Sequence, residues 1–197
     1  MAEGASLMAD GAPLMAEGSW LIAFIVAQRL GELVLAQSNT RRQRAAGGVE
    51  FGAGHYPLIV ALHALWLVAL WTWGRDHDVE RLWLIAFVVL QGARVWVIAS
   101  LGRRWTTRVV VRSGAAPVAR GPYRWLRHPN YVVVALEIAV VPLALGLPLL
   151  ALGFSIANAV LLAWRIRVEN EALAWAAGPA DARVGTACTL ANGSPRR

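Results

Sequence analysis

Two short stretches of this chain combine charged and aromatic residues in a way that could bind a ligand or support catalysis. Residues 121–131 read GPYRWLRHPNY and hold arginines, a histidine and two tyrosines. Residues 165–171 read RIRVENE and place arginines beside acids and an amide. Each stretch lies at the end of an apolar segment, where charged side chains are costly unless they have a partner or a function. The pattern predicts a site at a membrane surface.

The first stretch contains the start of a helix. Pro129 disfavours helical geometry at His128 and itself suits the first turn of a helix, so we expect a helix to begin at Pro129. His128 would then lie beside backbone amides that favour an anionic group such as a carboxylate. Tyr123 and Tyr131 offer flat surfaces suited to an aromatic ring such as adenine. The alternative is a set of interfacial arginines and tyrosines without a ligand.

The second stretch contains two ion pairs with helical spacing. Arg165 and Glu169 are four residues apart, as are Arg167 and Glu171. At helical periodicity Arg167 lies about 160° from Glu169, so the two pairs point in nearly opposite directions. We expect Arg167, Asn170 and Glu171 to face the site, and the other pair to support a neighbour or face solvent. The alternative is two ordinary ion pairs at the end of a helix.

Composition places the chain among membrane proteins. Its 197 residues are 57% hydrophobic and 16% charged, and mean hydropathy is +0.49. The net charge of +7 lies mostly in loops beside apolar segments, so membrane lipids rather than nucleic acid are the expected partners. The single cysteine, Cys188, excludes an internal disulfide. Oligomeric state is left open.

Five apolar segments predict an all-α integral membrane protein with five transmembrane helices. The last two are joined across Gly146, Leu147 and Pro148, a connection short enough to require a tight helical hairpin. Residues 1–21 consist of three similar units that each begin with methionine. Residues 1–18 are expected to be disordered, as is the polar tail 176–197. The true translation start could be any of the three methionines. The predicted segments are 19–37, 57–73, 82–101, 131–147 and 149–166.

The charge of the loops predicts how the protein lies in the membrane. The loop 38–56 has three arginines and one acid, a net +2, and the loop 102–130 has seven arginines and no acid, a net +7. The loop 74–81 has two arginines and three acids, a net −1. The positive-inside rule therefore puts the N-terminus outside and the C-terminus in the cytoplasm. Both polar stretches are then cytoplasmic.

Polar residues inside or beside the apolar segments need partners. Arg94 lies in the middle of the third segment, and Glu32 of the first segment is its candidate partner. His63 is expected to make a hydrogen bond within its own helix and to face the protein interior. His55 lies in the first loop, but no carboxylate or cysteine has the spacing of a metal ligand, so no metal site is predicted.

The motifs at 121–131 and at 165–173 (RIRVENEAL), separated by an apolar hairpin, resemble the isoprenylcysteine carboxyl methyltransferase family. Residues 39–66 further resemble a bacterial branch, some members of which methylate alkylpyrones or alkylresorcinols. The resemblance covers about residues 20–175. The chain differs from the family where Asn170 follows Glu169, since adjacent glutamates are common there, and where Ala115 replaces a frequent histidine.

The resemblance implies a membrane methyltransferase domain over residues 19–175, with S-adenosylmethionine as cofactor. It implies methyl transfer to a carboxylate, phenol or enol oxygen of a lipophilic or prenylated substrate, in a bacterial inner membrane and facing the cytoplasm. Arg167 would contact the acceptor, and His55 is a candidate base. Alternatives are a phospholipid N-methyltransferase, a non-catalytic membrane protein of the same fold and, less favoured, an NADPH-linked sterol-type reductase. The implied cofactor-binding residues are Ala115, Ala116, Pro117, Val118, Tyr123, His128, Pro129, Asn130, Tyr131, Glu171 and Glu169.

Overall fold

A computed structural model describes residues 16–116 and 118–178, and five α-helices make up most of this part of the chain. The all-α prediction is confirmed. Disorder was predicted over residues 1–18 and 176–197. Residues 1–15 and 179–197, as well as Pro117, lie outside the described residues, whereas Glu17, Gly18, Ala176 and Ala177 are helical. Two 3-10 turns, Gly102–Arg104 and Gly121–Arg124, connect the helices. The helices are α1 Glu17–Ala45, α2 Tyr56–Gly74, α3 Arg81–Leu101, α4 Pro129–Ala144 and α5 Pro148–Ala177.

Four of the described helices are long and apolar enough to cross a membrane, namely α1, α2, α3 and α5. Many of their large apolar side chains are exposed, for example Leu149 at 84% and Leu82 at 71%. Such surfaces fit lipid rather than water, so the chain is an integral membrane protein. The fourth predicted segment forms only 16 residues of helix, about 24 Å against ~30 Å of hydrocarbon. Four of the five predicted spans are therefore confirmed as candidate spanning helices, and the count of five stays a prediction.

The outer helices extend well past their predicted ends. Helix α1 continues to Ala45 rather than 37, and α5 continues to Ala177 rather than 166. Their last turns are rich in arginine, glutamine, glutamate and alanine, which favour helix once the apolar run has ended. A helix of 30 residues is about 45 Å long, so one end of α5 projects beyond the hydrocarbon layer. This projecting end carries residues 165–171.

The hairpin between α4 and α5 is as tight as predicted. Helix α4 begins at Pro129, also as predicted. After its last turn, Gly146 adopts a left-handed φ of 67°, and Leu147 donates from its amide to the Pro142 carbonyl at 2.8 Å. This geometry ends one helix and starts the next within three residues. Consequently α4 and α5 run antiparallel, and the start of α4 lies beside the polar end of α5.

A charged network links three helices inside the apolar region. Arg94 of α3 donates to both carboxylate oxygens of Glu32 of α1, at 2.8 Å for one of these bonds, and also to Glu137 of α4. Arg29 of α1 bridges the same two carboxylates, at 3.1 Å to Glu32 and 2.7 Å to Glu137. Gln91 donates to the second oxygen of Glu137 at 2.9 Å. The predicted pair of Arg94 and Glu32 is confirmed, and Glu137 is an additional member.

A small two-stranded antiparallel β-sheet was not predicted. Val49–Phe51 (β1) and Val109–Val111 (β2) pair antiparallel, with Glu50 opposite Val110. The three consecutive valines of β2 favour extended backbone. Phe51 packs on Trp175 of α5 with ring centroids 5.3 Å apart. The β-sheet therefore links the loop after α1 and the loop after α3 to the polar end of α5.

A close approach at Gly18 predicts a measurable difference between two glycines of α1. A Cβ atom at Gly18 would clash with the backbone oxygens of Gly74 and His77, whereas a Cβ atom at Gly31 meets nothing within 4 Å. We expect Gly18→Ala to destabilise the fold by about 1–3 kcal/mol, because backbone atoms cannot move aside easily. Gly31→Ala should be neutral or stabilising, since alanine favours helix. Unfolding in mixed micelles measures both, and equal effects would contradict the packing at Gly18.

Candidate active site

The polar end of α5 forms one wall of a cavity of about 650 Å³, which we call the main cavity. The end of α1, the segment after α3, the 3-10 turn Gly121–Arg124 and the start of α4 form the other walls. Two hydrogen bonds hold the segment after α3 in place. Asn39 of α1 donates to the Trp105 carbonyl at 2.9 Å, and the Gly114 amide donates to the Ala176 carbonyl of α5 at 3.1 Å. Five elements of the chain thus meet around one volume.

Tyr131 lies in the first turn of α4, beside the polar end of α5. Its hydroxyl accepts a hydrogen bond of 2.8 Å from Arg165 Nε and donates to Glu169 Oε2. Arg165 is buried and also donates from Nη2 to the Thr107 carbonyl at 2.7 Å. The His128 ring stacks on the Tyr131 ring at 5.4 Å, and His128 Nδ1 lies 3.8 Å from Glu169 Oε2. Arg165 and Glu169 therefore have fixed positions in the cavity wall.

Helix α5 turns the face opposite to the predicted one towards the main cavity. Arg165 and Glu169 line the main cavity, whereas Arg167 and Glu171 are exposed and are not part of its wall. The buried residues of α5 include Asn158, Arg165 and Ala172, which are seven residues apart and so share one face. Arg167 lies on the opposite side of the helix from that face. Asn170 is half-buried and likewise absent from the described cavity wall.

The structure brings most of the predicted cofactor-binding residues together. Pro129 is buried in the first turn of α4 rather than in the wall, Glu171 is exposed, and Pro117 lies outside the described residues. Their predicted cofactor contacts remain untested. The predicted residues that line the main cavity are Ala115, Ala116, Val118, Tyr123, His128, Asn130, Tyr131 and Glu169.

His55, the predicted base, lies away from the main cavity. It precedes the first residue of α2, is buried at 4% exposure and packs on Trp164 with ring centroids 5.6 Å apart. Burial, and then the positive charge of Arg165, lower the pKa of His55 below its ordinary 6.5. The described wall of the cavity does not include it. The ring therefore packs on Trp164 outside the described cavity wall, and its role as a base stays a prediction.

The lowered pKa of His55 predicts how stability depends on pH. The unfolded chain binds a proton at His55 as pH falls through 6.5, whereas the folded protein resists that proton. Its contribution to stability is therefore complete above pH 6.5 and is lost as pH falls below it. We expect His55→Asn, which retains a side chain suited to a helix start, to reduce the slope of unfolding free energy against pH between about 7.5 and 5. An unchanged slope would contradict a buried, neutral His55.

Positive charge dominates the main cavity. Among the described wall residues Glu169 is the one acid, and seven are arginines: Arg42, Arg103, Arg104, Arg108, Arg112, Arg127 and Arg165. Burial, and then the charge of Glu169, raise the pKa of Tyr123, so its phenol keeps its proton at neutral pH. The cavity therefore favours ligands with anionic groups and offers one carboxylate for a cationic or hydroxyl-bearing part.

Sequence analysis missed Arg108 as a wall residue. Its guanidinium lies 4.1 Å from the centroid of the Tyr56 ring, and Nη1 donates to Glu50 Oε1 at 2.6 Å. Tyr56 in turn contacts the Thr107 hydroxyl at 3.2 Å. Glu50 lies opposite Val110 in the two-stranded β-sheet. Predicting this strand pairing would have brought Arg108 close to Glu50.

The fold and the cavity together define an integral membrane protein with a large, arginine-rich cavity beside the polar end of α5. The sequence profile of the isoprenylcysteine carboxyl methyltransferase (ICMT) family matches residues 83–175, which include nearly all of the cavity wall. The uncharacterized protein YpbQ of Bacillus subtilis is 41% identical over 158 residues, or 78% of this chain and 94% of YpbQ. No solved structure matches the chain. The chain belongs to the isoprenylcysteine carboxyl methyltransferase family, which suggests methyltransferase activity in a membrane.

Proposed function

We propose that this protein is an S-adenosylmethionine-dependent methyltransferase that methylates an oxygen atom of a lipophilic acceptor. The observation that carries the proposal is the main cavity. Its wall combines eight of the residues that the family resemblance assigns to the cofactor, Glu169 among them, with Arg165. The family profile covers most of this wall.

The residues of the main cavity fit this cofactor chemically. A volume of about 650 Å³ lies within the range of small-molecule sites. Tyr123 and Tyr131 provide flat surfaces for an adenine ring, and the arginines provide partners for a carboxylate. Glu169 is suited to ribose hydroxyls or to a positively charged group. Asn130 Oδ1, also in the wall, makes no hydrogen bond within the described chain.

The charge of the cavity favours an oxygen acceptor over an amine. A carboxylate is already ionised at neutral pH, and nearby arginines lower the pKa of a phenol or enol. An ammonium headgroup, by contrast, is repelled by the seven arginines of the wall. This argument favours a carboxylate, phenol or enol acceptor over the amine of a phospholipid.

The expected work of the protein is mainly positioning. When bound, S-adenosylmethionine supplies an electrophilic methyl group. Arg165 orients the acceptor oxygen, and its bonds to Tyr131 and Thr107 hold the guanidinium in one place. Glu169 would hold the positively charged part of the cofactor through Oε1, because Oε2 accepts the hydrogen bond from Tyr131. The apolar walls, including Val118 and Leu173, exclude water, and an ionised carboxylate acceptor requires no base.

We further propose that α4 and α5 cross a bacterial inner membrane as a hairpin, making five spans, with the main cavity on the cytoplasmic side. The strongly positive loop 102–130 borders the cavity and supports this orientation. The acceptor would then reach the site from the lipid, and the cofactor from the cytoplasm.

Transfer of an isotope-labelled methyl group to three acceptors tests the proposal. The acceptors are a prenylcysteine for the carboxylate class, an alkylresorcinol for the phenol class and phosphatidylethanolamine for the amine class. We expect label on a prenylcysteine or an alkylresorcinol, as a base-labile ester or a base-stable ether respectively. Label on phosphatidylethanolamine alone would contradict the oxygen acceptor and support the phospholipid N-methyltransferase alternative.

A further inference from the structure

A second pocket beside the main cavity has only arginines as its charged residues. It has a volume of about 570 Å³. We call it the arginine pocket; no acid contributes to it among the described residues. It shares Leu101, Arg103, Arg104 and Val118 with the lining of the main cavity and adds Ala119 and Arg120. Its lining residues are Leu101, Arg103, Arg104, Val118, Ala119 and Arg120.

Two of the three arginines are already held in place. Arg120 donates from Nε to the Ser100 carbonyl at 2.7 Å, and Arg104 donates from Nη1 to the Ala116 carbonyl at 2.7 Å. Each guanidinium has five N–H donors, so each keeps further donors for a ligand. Arginine donors arranged in this way suit the oxygens of a phosphate. Because two side chains are fixed beforehand, ligand binding orders fewer groups.

The arginine pocket lies where an apolar helix leaves the membrane. Leu101 is the last residue of α3, which is long and apolar enough to span a bilayer, and Arg103 and Arg104 follow within three residues. Trp96 of α3 and Trp125 pack together with ring centroids 5.9 Å apart, and they are 48% and 70% exposed. Tryptophans concentrate at the level of lipid headgroups. Leu126 is also exposed, so an apolar surface suited to acyl chains lies close to the arginines.

We propose that the arginine pocket binds the phosphate headgroup of an anionic membrane lipid. The arginines would take the phosphodiester, and the acyl chains would lie along the exposed apolar surface around Trp96 and Trp125. A zwitterionic lipid is less suitable, since the pocket has no acid to pair with its ammonium group. Arg103, Arg104 and Val118 line both volumes, and lipid binding is measured without cofactor or acceptor, so this proposal is tested separately from the methyltransferase reaction.

Tryptophan quenching by brominated lipids tests the proposal on the full chain in phosphatidylcholine vesicles. Brominated phosphatidylglycerol should quench more strongly than brominated phosphatidylcholine at the same mole fraction. Arg103→Gln removes one cation and should reduce the relative affinity for phosphatidylglycerol about fivefold. Arg103→Lys keeps the charge and should retain most of that affinity. The matched control is Arg41→Gln, which removes an exposed arginine outside the arginine pocket and should have an effect below about twofold.

Arg103 makes no side-chain hydrogen bond to the rest of the described chain, so its variants should fold, which gel filtration and circular dichroism check. The proposal is overturned if wild type shows no preference for phosphatidylglycerol. It is also overturned if Arg41→Gln and Arg103→Gln reduce the preference equally, which indicates general attraction between the surfaces. Competition by soluble glycerol phosphate as effective as that of the lipid would contradict a lipid site.

Discussion

Glu169→Gln should weaken binding of S-adenosylmethionine about tenfold to a hundredfold, whereas Glu171→Gln should leave it nearly unchanged. The large effect is expected because Glu169 is the one acid in the described cavity wall and faces seven arginines. Loss of a charge-assisted hydrogen bond costs about 1.5–3 kcal/mol, which corresponds to that range of affinity. Titration calorimetry on detergent-purified protein measures both variants.

The two glutamates form a matched pair, since they are two residues apart on one helix and lose the same charge. Glu171 is exposed, so its substitution should not disturb the fold. Equal weakening by both variants would indicate a general effect of charge. A larger effect of Glu171→Gln would mean that the cofactor contacts the face of α5 first predicted from the sequence. Either result would contradict the assignment of Glu169.

The second large effect concerns stability. Glu137→Ala should reduce the unfolding free energy by about 3–5 kcal/mol, because it removes one of the two carboxylates that Arg29 and Arg94 share and leaves two guanidinium groups beside Glu32 in the apolar interior. Glu137 is 1% exposed, and both arginines donate to the same oxygen of its carboxylate. Unfolding in mixed micelles, followed by circular dichroism, measures the loss.

The control for this prediction is an ion pair at the surface. Arg75 and Asp76 form a bond of 3.1 Å, and their side chains are 50% and 78% exposed. Arg75→Ala should cost less than about 1 kcal/mol, because water screens such a pair. If Glu137→Ala costs no more than Arg75→Ala, the charged network does not stabilise the packing of α1, α3 and α4.

Much of the fold is predictable because apolar runs, a proline and a short turn act locally. The start of α4 at Pro129 and the hairpin at Gly146 follow from the backbone preferences of those residues. The pair of Glu32 and Arg94 follows from the cost of an unpaired charge in lipid. The two-stranded β-sheet is different, since its strands are three residues each and some sixty residues apart. Their pairing therefore depends on tertiary contacts.

The choice between the two faces of α5 could have been made from the sequence. Both ion pairs have the same spacing, so spacing alone could not decide between them. Asn158, however, is a polar residue within an apolar span and must face the protein interior. Arg165 lies seven residues later, within about 20° of the same direction, while Arg167 lies about 180° away. The buried Asn158 thus indicates which arginine faces the cavity.

Equilibrium binding of S-adenosylmethionine to the full chain tests the central claim most directly. Titration calorimetry on detergent-purified wild type should give saturable binding to one site per chain, and NADPH should not compete. The circular dichroism of the same sample establishes that the protein is folded. If folded wild-type protein shows no binding of S-adenosylmethionine, the proposed methyltransferase function is contradicted.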